Sequence, residues 1–370
     1  MAKCQICSIH SPLISAQLGI CLDCIRSNPE KALQISNQIH AETRQAFNLP
    51  ANPPKTPDGL QCGQCANKCK IAEGRKGYCG LVENQDDKLV RHGGTPEKGI
   101  LQWYHDLLPT NCVSWWFCPG CTGASYPKYA YKPKAEIGHS NLAVFYGSCS
   151  TDCLFCQNWH YRNLARKHKP TISAEQLASK AYEKTSCICF FGGDPSTQMP
   201  HALKTSQIAL TEALNKNRIL RICWETNGRM LPNYAEQAAE FSLKSGGNMK
   251  FDIKTWDENL NKVLCGTSNK ATLENFQKIG KKYYNQRPEL PLLTASTLLI
   301  PDYVDIKEVE NIAKFIAEVN PQIPYTLLAF FPAYILNDLP TTNRKNANNC
   351  YDIARKYLDN VRIGNIHLLS

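Results

Sequence analysis

Of the nineteen cysteines in this chain, fourteen fall before residue 160, most of them in short-spaced groups. That pattern constrains the fold more than any apolar run does, because a tight turn presenting several sulfurs to one point is usually held by a metal. Disulfides are the other use of dense cysteine. The N-terminus, however, carries Cys4 and Cys7 where a signal peptide needs an apolar core, and no apolar run approaches the ~20 residues that cross a bilayer. The expectation is a cytoplasmic chain with no membrane partner, whose thiols stay reduced and free for metals.

The groups differ in spacing. Cys4-x2-Cys7 and Cys21-x2-Cys24 are matched half-sites with the spacing of a zinc ribbon, and zinc is expected there. Residues 28–48 read as a helix and 49–55 as a linker, giving residues 1–50 as a ribbon-like module. Cys62-x2-Cys65-x3-Cys69-x9-Cys79 supplies four thiolates for zinc or for an auxiliary iron–sulfur cluster, and spacing does not choose between them. Cys112-x5-Cys118-x2-Cys121 lacks an obvious fourth ligand. With His105, Cys187 or Cys189 it would hold an auxiliary cluster; otherwise these are free thiols among Trp115, Trp116 and Phe117. Residues 51–140 are expected to form this second cysteine-rich region.

The last group is Cys149-x3-Cys153-x2-Cys156, directly after the apolar run Leu142–Tyr146. Three thiolates can hold three corners of a [4Fe–4S] cube and leave the fourth iron open to a small molecule, whereas four would close every iron, as in an electron carrier. The plainer alternative is zinc, with His160 as the fourth ligand.

From residue 141 onward short apolar runs alternate with helical stretches. Strands are expected at Leu142–Tyr146, Ile188–Phe191, Ile219–Trp224, Met249–Ile253, Leu292–Ile300 and Tyr325–Ala329, with helices between them such as Ala174–Lys184 and Ile306–Val319. This alternation predicts an α/β fold with a parallel sheet and right-handed crossovers, whose ligands lie at the carboxyl ends of the strands.

Cys149-x3-Cys153-x2-Cys156 followed by Gln157-Asn158-Trp159, then Gly192-Gly193-Asp194-Pro195-Ser196, Glu225-Thr226-Asn227-Gly228, Phe251-Asp252-Ile253-Lys254 and Val361-Arg362-Ile363-Gly364-Asn365, resembles the radical S-adenosylmethionine (SAM) superfamily in motif order. Within it the chain is most similar to the glycyl-radical-activating enzymes, of the pyruvate formate-lyase activating kind. The resemblance spans residues 141–370 and implies a partial (β/α)6 barrel behind N-terminal cysteine-rich modules. It implies a [4Fe–4S] cluster on Cys149, Cys153 and Cys156, and SAM held near Phe155, Asn158, Gly192, Gly193, Asp194, Asn227 and Lys254. Gly192 and Gly193 would let the backbone approach the methionyl ammonium, and Lys254 would meet the methionyl carboxylate. Glu225, Thr226 and Asp252 would help hold a monovalent cation beside that carboxylate. Asp194 stands where the family's Gly-Gly-Glu motif has Glu, and Glu225 where Asp is commoner. The implied reaction reduces the cluster from an external donor such as flavodoxin or ferredoxin, cleaves SAM to methionine and a 5′-deoxyadenosyl radical, and abstracts hydrogen from a substrate.

Three readings of the partner follow. A protein or peptide substrate fits the resemblance to the activating enzymes and the open side of a partial barrel. An RNA substrate would suit the ribbon spacing and the net charge of +10, although no basic-aromatic platform is visible. A non-catalytic metal-binding or electron-transfer protein would explain the cysteines and leave the strand-end motifs without purpose.

Overall fold

The computed structural model describes residues 1–370. Its main sheet is built from strands that use their two faces differently. Along each strand successive side chains alternate in direction. Ile188 and Phe190, Ile222 and Trp224, and Met249 and Phe251 are wholly buried in the apolar core. The intervening positions, Cys187, Cys189, Cys223, Glu225, Lys250 and Asp252, form a second row of thiols and charges on the opposite face. Each strand thus carries packing on one face and chemistry on the other.

Eight strands carry this pattern or extend it: β1 (Gly99–Leu107), β2 (Ser140–Tyr146), β3 (Thr185–Gly192), β4 (Arg221–Thr226), β5 (Met249–Asp252), β6 (Leu293–Leu299), β7 (Tyr325–Ala329) and β8 (Val361–Gly364). From β2 to β8 every neighbouring pair is parallel, in sequence order. All six expected strands are present, and β8 adds a seventh parallel one. β1 is a departure from the sequence reading. It pairs antiparallel with β2 from Leu101↔Tyr146 to Leu107↔Ser140, and its start also pairs with the short strand Thr171–Ile172. The sheet therefore begins inside the segment expected to be the second cysteine-rich region. β8 is bonded on one side only, to β7, and forms the free edge of the open sheet.

Helices that cover the apolar face include α2 (Met199–Asn215), α3 (Pro232–Ser245), α5 (Lys270–Tyr283), α6 (Ile306–Val319) and α7 (Arg344–Ala354), with the shorter α4 (Glu258–Cys265) after β5. Several are started by side chains: Asp257, Asp305 and Asn343 each accept a backbone N–H of the first helical turn. The helix expected at Ala174–Lys184 stops at Ala178.

The N-terminal module does not stand apart. Cys4, Ile14, Leu18 and Ile25 belong to the same apolar cluster as the sheet. Tyr303 donates to the Ile20 carbonyl at 2.8 Å, and Arg26 pairs with Asp305 at 2.8 Å and Glu308 at 3.1 Å. Helix α1 (Pro29–Gln45) begins with proline at its first position and buries His40, Thr43 and Arg44, an unusual set for a helix face. Their reason is the cysteine loop described next.

Candidate active site

The loop after β2 carries Cys149, Cys153 and Cys156. It is pinned to the end of α4, where Asp152 N–H donates to the Cys265 carbonyl and Leu154 N–H to the Leu264 carbonyl, both at 2.9 Å. Asp152 itself is fully buried and takes hydrogen bonds from His40 Nδ1 (2.9 Å), Thr43 Oγ1 (3.0 Å) and Arg162 (2.5 Å), with Arg44 at 3.8 Å. Burial pushes its carboxyl up, but the His40 hydrogen bond and the two guanidiniums outweigh this and hold it far below the usual carboxylate range. The polar residues of α1 therefore satisfy a charge that shapes the cysteine loop.

The sulfurs themselves are supported from several sides. Thr151 Oγ1 lies 3.3 Å from Cys149 Sγ and 3.5 Å from Cys153 Sγ, and Asn227 Nδ2 donates to Cys149 Sγ at 3.6 Å. Cys265, which sequence reasoning did not single out, sits behind Cys153. Its thiol interaction with Cys153, against the effect of burial, brings the Cys153 thiol down to about 6.

The three cysteines open onto one cleft of about 250 Å³. Its walls include Phe155, Asn158, Gly192, Gly193, Asp194, Glu225, Asn227, Asp252 and Lys254, so nine of the ten residues expected around SAM converge there. Thr226 is the exception, since its hydroxyl donates to Asp194 instead. The cleft also takes in Gln157 and Asn365, which stand in the quoted motifs without an assigned role, and Thr151, Tyr161, Lys250 and Ser296, which were given none.

Several expected roles change in detail. Asp194 accepts from Asn227 N–H at 2.6 Å, Ser196 N–H at 2.7 Å and the Thr226 hydroxyl, so its carboxylate staples the β3 and β4 ends together rather than presenting a free acceptor. The two glycines are demanded by the protein itself. A Cβ at Gly192, whose φ is +110°, would lie 2.5 Å from the Tyr146 nitrogen, and one at Gly193 would lie 2.3 Å from the Ser148 oxygen. Asn227 ties the cysteine loop to β4 through Ser150 at 3.1 Å.

The largest correction concerns the cation. Lys250 Nζ lies 2.8 Å from Glu225 and 3.7 Å from Asp252, and Lys254 Nζ is 3.7 Å from Asp252 on its other side. Two of the three residues expected to help hold a monovalent cation, Glu225 and Asp252, are thus paired with an ammonium of the chain. Burial opposes the charged form of Lys250, but Asp252 and Glu225 raise it well above the usual lysine range. Burial likewise opposes Lys254, which Cys153 and Asp252 keep protonated. The signal in the sequence is the spacing Lys250-x-Asp252-x-Lys254, which puts all three on one face where a strand leads into its loop.

The donor set fits an iron–sulfur cluster better than zinc. Three buried or half-buried thiols share an open cleft, and donors stand behind their sulfurs. His160, the fourth ligand of the zinc reading, instead stacks on Phe145 with centroids 5.1 Å apart and rings 7° from parallel.

The other cysteine groups separate sharply. The sulfurs of Cys4, Cys7, Cys21 and Cys24 all lie within 4.8 Å of one another, close enough to share one metal ion. Cys62, Cys65, Cys69 and Cys79 instead ring a small cavity. In the third group Cys121 N–H donates to the Cys118 carbonyl at 3.2 Å and its thiol to the Thr110 carbonyl at 3.9 Å, while Cys112 donates to Glu225 at 3.5 Å. His105 does not join them; it contacts Ser140 and stacks edge-on with Tyr182. Cys189 and Cys223 are register partners on β3 and β4.

A family profile described as the Radical SAM superfamily matches residues 143–316. These residues form a radical SAM domain. The radical SAM family implies a [4Fe–4S] cluster and SAM. Among similar proteins, one from Methanocaldococcus jannaschii named as a glycyl-radical enzyme activating enzyme is 26% identical over 237 residues, covering 61% of this chain and 82% of that protein. Another from the same organism, named as uncharacterized, is 24% identical over 316 residues, covering 83% of this chain and 81% of its own length. Among solved structures, Streptococcus suis SuiB bound to S-adenosylmethionine aligns at 14% identity and TM-score 0.42, covering 60% of this chain and 49% of SuiB. A domain of pyruvate-formate lyase-activating enzyme from Bacteroides vulgatus aligns at 17% identity and TM-score 0.35, covering 48% and 97%. No helix is long and apolar enough to cross a membrane.

Proposed function

We propose that this chain cleaves SAM reductively and uses the product to abstract hydrogen from a protein or peptide. The observation that carries the reading is convergence: cysteines from one loop, glycines from another and charges from two further strand ends wall a single cleft. Cys149, Cys153 and Cys156 would hold a [4Fe–4S] cluster, which when bound supplies the electron that breaks the sulfonium bond.

The chain's own residues do the rest. Lys254, whose ammonium is 3.7 Å from Asp252, pairs with the methionyl carboxylate and lies 5.7 Å over the Phe155 ring, which packs beside the adenine. Lys250 pairs with Glu225 and Asp252, so that together with Lys254 the four groups carry no net charge and the methionyl carboxylate meets no unpaired acid. Gly192 and Gly193 line the cleft and would bring backbone acceptors to the methionyl ammonium, with Asn158 donating to the Gly192 carbonyl at 3.3 Å.

A macromolecular substrate is favoured by the sheet edge. β8 is unpaired on its outer side, and the next residue, Asn365, lines the cleft. An extended peptide can add to such an edge and be led to the reacting centre. The relative named as a glycyl-radical enzyme activating enzyme supports the same class. We assign zinc to Cys4, Cys7, Cys21 and Cys24.

The test is anaerobic incubation of reduced, iron-loaded protein with SAM and with protein or RNA fractions from cells grown in deuterated medium. Deuterium entering 5′-deoxyadenosine from the protein fraction is expected. Deuterium from RNA alone would overturn the substrate class, and no 5′-deoxyadenosine at all would overturn the reaction.

A further inference from the structure

Two cysteine quartets precede the barrel, and they are built differently. A tetrahedral zinc ion with Zn–S bonds of about 2.3 Å draws its four sulfurs to about 3.8 Å from one another. The first quartet has that character, with all sulfurs within 4.8 Å and Cys7 Sγ 3.7 Å from Cys21 Sγ. The second does not share that close grouping. Cys62, Cys65, Cys69 and Cys79 stand around a small cavity lined also by Gln64, Asn67 and Thr197. A four-iron cube places its own iron–sulfide core between the thiolates, and so needs sulfurs set apart around a central space.

The surroundings suit a redox centre. Arg91 donates to Cys62 Sγ at 3.8 Å and to the Cys62 carbonyl at 2.7 Å, an arrangement that stabilises added negative charge on a cluster. The cavity is also joined to the catalytic loop by two short routes. Asn67, two residues after Cys65, donates to the Ser150 carbonyl at 2.8 Å, and Ser150 adjoins Cys149. Thr197 of the cavity wall lies 2.5 Å from the hydroxyl of Ser148, on the other side of Cys149.

We infer that Cys62, Cys65, Cys69 and Cys79 ligate a closed [4Fe–4S] cluster that relays single electrons to the cluster on Cys149, Cys153 and Cys156. A low-potential iron–sulfur or flavin carrier gives up one electron and is oxidised. The closed cluster is reduced from the 2+ to the 1+ state, then returns to 2+ as the electron passes to the open cluster and is consumed in breaking the SAM carbon–sulfur bond. The relay rests on the function proposed above; the identity of the closed cluster does not.

The experiment is metal and sulfide analysis with EPR on anaerobically purified full-length protein and on the triple variant Cys149→Ala, Cys153→Ala, Cys156→Ala. The triple variant is expected to keep about four irons and four sulfides, with a reduced signal that SAM does not change. A triple variant holding no iron and a second zinc would overturn the cluster. Cys65→Ala is then expected to keep the SAM-sensitive signal and the dithionite-driven rate of SAM cleavage, while the rate driven by a reduced ferredoxin falls at least tenfold. Equal rates with both donors would overturn the relay. Should Cys65→Ala not fold, Arg91→Met serves instead, with a lowered midpoint potential of the SAM-insensitive signal expected and an unchanged one counting against it. Wild-type protein with the SAM-insensitive cluster but no SAM cleavage would sink the proposed function and leave the closed cluster standing.

Discussion

The first cysteine quartet and the barrel triad use the same ligand atom to opposite ends. Cys4, Cys7, Cys21 and Cys24 converge on one point at the surface of the shared core. Cys149, Cys153 and Cys156 stand at one end of a cleft walled by charge. The difference is one ligand and one neighbourhood. A fourth sulfur closes a metal and makes it scaffold, whereas three sulfurs beside Lys254, Lys250 and Asp252 leave a coordination position facing a site for an amino acid.

The comparison breaks most sharply at the triad. Replacing any of Cys149, Cys153 or Cys156 by alanine is expected to abolish 5′-deoxyadenosine formation while leaving circular dichroism and zinc content unchanged, and product formation in such a variant would end the assignment. Cys4→Ala should do the reverse. Zinc content falls and the segment before residue 28 becomes sensitive to protease, because a ribbon so small depends on its metal for folding energy. A stable, fully active Cys4→Ala protein would remove the structural role.

Asp152→Asn joins the two regions in one test. It leaves the buried Arg162 without its counter-charge, and the expected loss of stability in denaturant titration is about 3–5 kcal/mol. Lys250→Met is expected to weaken SAM binding about tenfold, the ~1.4 kcal/mol at the low end for hydrogen bonds to charged groups. In wild type, exchanging potassium for a bulky organic cation should leave SAM binding unchanged, because Glu225 and Asp252 are already paired with Lys250; a strong dependence would restore the free cation. Arg26→Ala, which loosens a half-exposed pair with Asp305, should cost about 1 kcal/mol or less.

What the sequence disclosed follows from what periodicity and spacing record. The parallel strands were legible because their buried faces are unbroken apolar alternations such as Ile188–Phe190 and Ile222–Trp224. β1 was not, because it runs along the margin of the sheet, with Trp103 and Tyr104 exposed, and its cue is mixed with the cysteines that follow. Motif order brought the cleft residues together, yet it did not say which side chains face the ligand. Asp194 and Thr226 look like binding residues in a string of letters and prove to hydrogen-bond each other. Lys250 and Cys265 lacked a motif of their own, and only pairing between strands and packing of α4 against the loop reveal them.

Asp152 gives the N-terminal helix a part in the chemistry without bringing it near the cleft. Its hydrogen bonds to His40 and Thr43 mean that the catalytic loop is finished by residues more than a hundred positions earlier in the chain. Cutting the barrel free at residue 50 would strip a buried carboxylate of two donors, turning a preformed socket into a loose strand of thiols. The smallest piece able to receive its cofactor in the right shape is thus larger than the piece that contains every ligand.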